Sequence, residues 1–166
     1  MAVRSDSGVS PLTPYRAKIE SDWIDYNGHL RDAYYGLVLS YAADDVMDQL
    51  GLDASYRAAT RCTLYTLELH IHYLHEVKAS DNLVVESLVL DCDRKRMQIG
   101  SLFRCSRLAE PVATAESMLL HVHQGEKPTS MAFPAAIEAR LRSLKLSPEA
   151  LAAFGPGSRK IELKRR

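Results

Sequence analysis

At 166 residues, 46% of them hydrophobic, and with 21 basic against 21 acidic side chains, the chain has the length for one domain with a sizeable core and carries no net charge. That balance excludes a general attraction to nucleic acid or to an anionic membrane, so any anionic ligand must be met by a local patch. No apolar run reaches the length of a membrane span, and the opening MAVRSDSGVS has no apolar signal core, so the expected location is the cytoplasm.

Residues 1–13 are small and polar and predict a mobile lead-in. Tyr15 to Ile24 predicts a first strand, closed by the turn Asp25-Tyr26-Asn27-Gly28-His29, in which Asn27 and Gly28 are turn formers and Gly28 can take a positive φ. Asp32 then offers an N-cap, and Ala33 to Leu50 carries Leu37, Val38, Tyr41, Ala42, Val46 and Leu50 at helical spacing, with Gly51 as the stop. From Arg61 the period changes to two. Leu67, Leu69, Ile71 and Tyr73 share one face of a long strand, and Glu68, His70, His72 and Leu74 the other. Asn82 to Cys92, Arg96 to Leu108 and Val112 to Gln124 predict three more strands, with turn residues at Lys78–Asp81, Asp93–Lys95 and Ala109–Pro111. Turns this short imply antiparallel neighbours, and hence a strand, one helix and a four-stranded meander. A 135–144 helix and a 148–154 turn follow, and the chain ends on Gly155-Pro156-Gly157 and the basic Lys164-Arg165-Arg166, expected to be frayed.

The fold class expected is α+β: five or six antiparallel strands curled around one long helix, in a domain over 14–134 with a helical extension and basic tail over 135–166. Such a sheet has an unprotected edge and outer face, so a homodimer or homotetramer is the economical assembly. Cys62, Cys92 and Cys105 are odd in number and lack metal spacing, so they are expected to be reduced, mostly buried and without a role.

The cluster Asp25, Asn27, His29 packs an acid, an amide and an imidazole into a loop that opens onto a helix N-terminus. Unpaired N–H groups there can polarise a carbonyl or hold an oxyanion. Two readings stand: a reactive site, or a capped turn in which Asp25 and His29 satisfy each other. Five of the 6 histidines lie on two strands, at His70, His72, His75, His121 and His123. His70-x-His72 with Glu76 has the local spacing of a cupin metal site, but Leu64 and Leu83 stand where its flanking glycines belong, and a small barrel has no room for the long helix. Packing or interface histidines are the alternative. The 8 tyrosines outnumber the 3 phenylalanines, and Trp23, Tyr26, Tyr34, Tyr35 and Tyr41 crowd the loop and early helix. Tyr34 and Tyr41 share a helix face, so the cluster is either ordinary packing or a cation-binding box.

The run Asp25-Tyr26-Asn27-Gly28-His29-Leu30, with Tyr35, resembles the motif Asp-x-x-Gly-His-Val-Asn-Asn-x-x-Tyr of hotdog-fold acyl-CoA thioesterases of the 4-hydroxybenzoyl-CoA thioesterase type. The likeness covers roughly Pro14 to Pro134, with Arg31 and Asp32 in place of the two asparagines. Trp23-x-Asp25-Tyr26-Asn27-Gly28-His29 followed by Asp32-Ala33-Tyr34-Tyr35 is similar to the thioesterases of carnitine breakdown, whose substrate is betainyl-CoA.

The resemblance implies a hydrolase that needs no metal or other cofactor. Asp25 would serve as general base or nucleophile, backbone N–H groups around Asp32 and Ala33 would polarise the thioester carbonyl, and His29 would orient the loop or the thioester. A trimethylammonium head would be met by Trp23, Tyr26, Tyr34 and Tyr41, with Asp32 or Glu68 supplying charge. The CoA phosphates require a basic patch, for which Arg94-Lys95-Arg96 at a hairpin tip is the densest internal choice, a solvated turn being its other reading. A non-catalytic acyl-CoA-binding domain on the same fold is the alternative function, distinguished by its having no need for Asp25.

Overall fold

The computed structural model describes residues 12–154; residues 1–11, Gly155-Pro156-Gly157 and the basic Lys164-Arg165-Arg166 lie outside the described residues. In chain order the elements are β1 (Tyr15–Ala17), a 3-10 turn (Ser21–Trp23), α1 (Asp32–Leu50), α2 (Ala54–Thr60), β2 (Cys62–Tyr73), β3 (Leu83–Cys92), β4 (Arg96–Cys105), β5 (Ala113–His123), β6 (Thr129–Ser130), α3 (Ala135–Leu144) and α4 (Pro148–Phe154). The main sheet runs β1-β3-β4-β5-β2, all antiparallel, with the short β6 paired to β5. This is the α+β hotdog arrangement, a curled sheet holding one long helix.

α1 lies along the sheet as a strip about 28 Å long at 1.5 Å per residue. Its N-terminal half (Tyr35, Val38, Leu39) packs on Leu83, Val85 and Phe103, while its C-terminal half (Val46, Met47, Leu50) packs on Val89, Met97 and Leu141. Leu141 belongs to α3, which closes that end. Gly51, at φ 85°, stops the helix, and its N–H returns to Asp48 and Met47 carbonyls as a left-handed cap requires. Cys62, Cys92 and Cys105 are free thiols, two of them buried.

Several expectations need correction. The first strand stops at Ala17, because the turn-forming Ser21-Asp22 pair folds the chain back: Trp23 N–H donates to Glu20 O at 3.0 Å and Ile24 N–H to Ser21 O at 3.1 Å. Asp32 is the first residue of α1 rather than its cap; Arg31 holds the cap position and makes no side-chain cap bond. The meander has three strands, not four. β2 pairs with β5 (Ile71↔Ala115), since the edge of β3 where a hairpin partner would sit is filled by β1 (Tyr15↔Val85) and by the segment after α3 (Val89↔Lys145). A register shift between Thr66 and Glu68 leaves Leu67 without a partner on β5, while Leu69, Ile71 and Tyr73 pair with Ser117, Ala115 and Ala113. The strand at Arg96 ends at Cys105, short of Leu108. The expected lead-in is tied down at its end, where Thr13 exchanges two hydrogen bonds with the Gln49 amide, at 2.7 and 3.0 Å. α2 and β6 were not anticipated.

The cupin reading fails on the fold, which is one sheet laid on a helix. Among the described residues no group of three or more His, Cys, Asp or Glu side chains is placed to hold a metal ion. His121 is 1% exposed, spends both ring nitrogens on the Tyr56 hydroxyl (2.9 Å) and Met131 O (3.1 Å), and stacks on Phe133. It is a packed histidine of the core. No helix among the described residues is long and apolar enough to cross a membrane.

Candidate active site

The loop 25–29 is a closed turn hung between the 3-10 turn and α1. Ile24 and Leu30 pair across it, Asp25 N–H donates to His29 O at 2.8 Å, and Gly28, at φ 80°, donates its N–H to Asp25 O at 3.0 Å. Glycine suits that left-handed position because any side chain there would be strained. The Asp25 carboxylate turns back onto its own loop. Its Oδ1 accepts the N–H groups of Asn27 (2.8 Å) and His29 (3.0 Å), while Oδ2 receives only a long contact from the Asn27 amide, 3.3 Å.

Those bonds favour the charged form. The His29 N–H foremost, then the Asn27 groups and the nearby His29 ring, hold the Asp25 carboxyl below the usual carboxylate range against the opposing effect of desolvation. The result is an ionised acid with one oxygen saturated and the other able to meet a water or a carbonyl carbon. His29 is half-buried, and its ring lies within electrostatic reach of both Asp25 and Glu76. Its ring makes no hydrogen bond among the described residues, so neither the structural bond to a carbonyl nor a ring bond to Asp25 is present.

A strap, residues 74–81, underlies this loop. His29 pairs with Lys78 in a single antiparallel bridge, and Leu30 N–H donates to Val77 O at 2.8 Å. The helix start is partly spoken for. Arg31 N–H bonds Trp23 O, the Asp32 carboxylate takes the Ala33 N–H at 2.9 Å, and Tyr34 N–H bonds Arg31 O. The Asp32 N–H has no partner among the described residues. Tyr73, on β2, fixes the same end by donating its hydroxyl to Asp32 O at 3.2 Å.

Family comparison places this loop and helix in a known context. The model for the thioesterase-like superfamily matches residues 19–154. The chain belongs to that superfamily. It is 41% identical over 140 residues to a betainyl-CoA thioesterase of Pseudomonas aeruginosa, covering 84% of this chain and 87% of that protein. It is also 39% identical over 156 residues to an L-carnitine dehydrogenase/betainyl-CoA thioesterase of Agrobacterium fabrum, covering 93% of this chain but 32% of that longer protein. Among solved structures, a hypothetical protein of Staphylococcus aureus in complex with CoA superposes with a TM-score of 0.80 at 25% identity, covering 96% of this chain and 100% of the other. A candidate thioesterase of Pseudomonas putida KT2440 gives 0.73 at 37% identity, over 95% and 100%.

Within this superfamily member the sequence-predicted residues divide into two groups. Asp25, Asn27, His29, Asp32, Trp23, Tyr34 and Tyr35 gather at the N-terminal end of α1. Trp23 and Tyr34 stack with ring centres 5.2 Å apart and planes 13° from parallel, so each has one face covered by the other. Tyr26 projects outward at 92% exposure and makes no ring contact among the described residues. Tyr41 is two turns further along the helix, exposed and near Tyr15 rather than the stacked pair. Tyr35 is buried against Phe103 and Tyr73, and burial foremost, then Tyr73, pushes its phenol up to about 12. Its ring is therefore part of the wall and keeps its proton. Glu68 is exposed on β2, next to the register shift.

Arg94-Lys95-Arg96 is at the other end. The tip joins β3 to β4 beside the C-terminal half of α1, the full length of β4 away from the Asp25 end, about 30 Å at 3.4 Å per residue. Arg96 is held by Asp93 (2.6 and 2.7 Å) and Lys95 by the Ser130 hydroxyl (3.2 Å), which leaves Arg94 the least committed. Sequence reasoning missed Arg31 and Lys78, the exposed cations beside the loop, and Tyr73. Arg31 was readable from its place before the helix. Lys78 and Tyr73 carry no local signal, because only the path of β2 and the strap after it brings Tyr73 to the helix start and Lys78 to the loop.

Proposed function

We propose that this protein hydrolyses a short acyl-CoA thioester to the free acid and CoA, with betainyl-CoA as substrate, in the cytoplasm and without a metal. The observation that carries the reading is the divided valence of Asp25: Oδ1 is saturated by two backbone N–H groups and Oδ2 is left to a single long contact. In the reaction Oδ2 either takes a proton from water or attacks the thioester carbon, while the Asp32 N–H at the positive end of α1 stabilises the oxyanion. His29 orients the thioester from the far side of the loop.

The betainyl-CoA relative supports the substrate, and the stacked pair supplies a physical reason. A trimethylammonium group donates no hydrogen bond and must be recognised by π faces. Trp23 and Tyr34, stacked and partly buried against the core, would offer what π surface they keep exposed; Tyr26 and Tyr41 would complete a box only by moving or from a second copy. A homodimer is the assembly proposed. Leu67 (55% exposed), Leu69 and Tyr73 lie on the edge strand β2, a row of apolar groups and open backbone bonds that a second copy would cover. Because the basic tip is a β4 length from Asp25 in one protomer, Arg94-Lys95-Arg96 would serve CoA phosphates only from a second copy; Arg31 and Lys78 are the local cations. A monomer with full activity in sedimentation at assay concentration would remove the shared site.

The test compares kcat/KM for betainyl-CoA and 3,3-dimethylbutyryl-CoA, which present the same three methyl groups and differ in charge. Preference for the cation is expected. Preference for the neutral chain would return the protein to general acyl-CoA thioesterases, and stoichiometric binding of both without hydrolysis would make it a binding protein.

A further inference from the structure

Asp81 and Arg107 form an ion pair that the chemistry above does not use. Asp81 sits at the end of the strap with its side chain 4% exposed, and Arg107 follows β4. The guanidinium reaches both carboxylate oxygens, Nε to Oδ1 and NH2 to Oδ2, each at 3.3 Å, and NH2 also donates to Glu76 O at 2.8 Å. Asp81 Oδ2 in turn accepts the Lys78 N–H at 2.9 Å, and Asp81 N–H donates to Lys78 O at 3.0 Å. One guanidinium therefore grips the strap at both ends of the short stretch 76–81.

Between those grips lie Val77 and Lys78, the two residues that pair with Leu30 and His29. His29 supplies the N–H that saturates Asp25 Oδ1 and the carbonyl that closes the loop. We infer that Arg107 and Asp81 are positioning residues for Asp25: through the strap they fix the height and tilt of the loop, and so decide where Oδ2 points. This inference rests on the reading of Asp25 given above. The reason for a pair rather than a hydrophobic plug is directional. An apolar contact would hold the strap down but would not orient it, whereas a forked donor bound to a carboxylate and a carbonyl at once fixes the strap in rotation as well. Placement errors near one ångström are expensive in catalysis, so a strap that rocks should cost rate before it costs substrate binding. Arg107 lies on the connection between β4 and β5, so the sheet itself is the anchor.

Arg107→Lys is the informative variant. It keeps the charge beside Asp81 but lacks the fork that reaches Asp81 and Glu76 O together. The expected result is a fall of roughly 10-fold or more in kcat with KM changed less than twofold. Faster amide exchange at His29 and Leu30, with the rest of the sheet unchanged, should accompany it. Arg107→Ala should lose more and recover part of its kcat when methylguanidinium is added; Asp81→Asn should behave like Arg107→Lys. Normal kcat and unchanged exchange at His29 and Leu30 in a folded Arg107→Lys variant would overturn the inference, as would a loss of kcat that multiplies in full with that of Asp25→Asn, because residues acting through one group are not additive. Asp25→Asn alone, with normal turnover, would overturn the reading of the site, and that arm involves neither Arg107 nor Asp81.

Discussion

Asp25 and His121 stand at opposite ends of α1, both drawn from motifs rich in polar chemistry, and the structure treats them differently. His121 is buried, stacked, and has both nitrogens bonded, so nothing remains with which to meet a substrate. Asp25 is half-buried in a loop, and only one of its oxygens is filled at short range. The two differ in residual valence: both His121 nitrogens are bonded, whereas Asp25 Oδ2 has one long contact. A histidine pattern on a strand reads as a metal site until the partners of each nitrogen are known.

The largest effect expected from this contrast is that of Asp25→Asn. It keeps the shape of the loop and removes the charge, so turnover should fall by about 10²- to 10⁴-fold while the melting temperature moves little. Near-normal turnover in the folded variant would place Asp25 beside His121 as a structural group. His121→Phe should show the reverse. A slightly larger aromatic ring replaces the imidazole, the Tyr56 hydroxyl and Met131 carbonyl lose their partner, and stability should fall by about 1–3 kcal/mol, read as a lower Tm with kcat unchanged. A drop in kcat at equal folded fraction would break the comparison.

The pH profile sharpens it further. Hydrogen bonds depress the Asp25 pKa in the folded chain, so the stabilisation they give is present above the ordinary carboxylate value and is lost only as pH falls through the lowered one. Asp25 should therefore contribute no acid limb to kcat/KM between pH 5 and 7. A limb in that window that moves up in Asn27→Ala, which removes a side-chain donor to Asp25, would contradict the assignment. The smallest effect is in recognition. Trp23→Leu uncovers Tyr34 but removes the broader π face, and about 0.5–1 kcal/mol, roughly two- to fivefold in kcat/KM, should be lost for betainyl-CoA and not for its neutral isostere.

Much of this was legible along the chain. The Asp25 loop announces itself because turn formers, acid and imidazole are neighbours in sequence, and α1 and α3 follow from apolar spacing closed by Gly51 at one end and opened by Pro134 at the other. Pairing was not legible. β2 alternates as a hairpin strand should, but which edge it joins depends on β1 and Lys145 filling the edge of β3, a fact of three dimensions. The same holds for charge. Arg94-Lys95-Arg96 is the densest internal basic run, yet the β4 length puts it away from the loop, whereas Arg107 comes to the strap from 26 residues beyond Asp81. α2 escaped because seven residues with three alanines carry no apolar stripe, although Asp53, which caps it by accepting the Tyr56 N–H at 2.8 Å, was a usable signal.

The measurement that bears most directly on the central claim is the release of CoA thiol from betainyl-CoA by the purified protein with EDTA present. The account predicts many thiols per protein molecule, with a rate that the chelator does not alter. Release that stops at or below one thiol per protein, or turnover that EDTA abolishes, would contradict it.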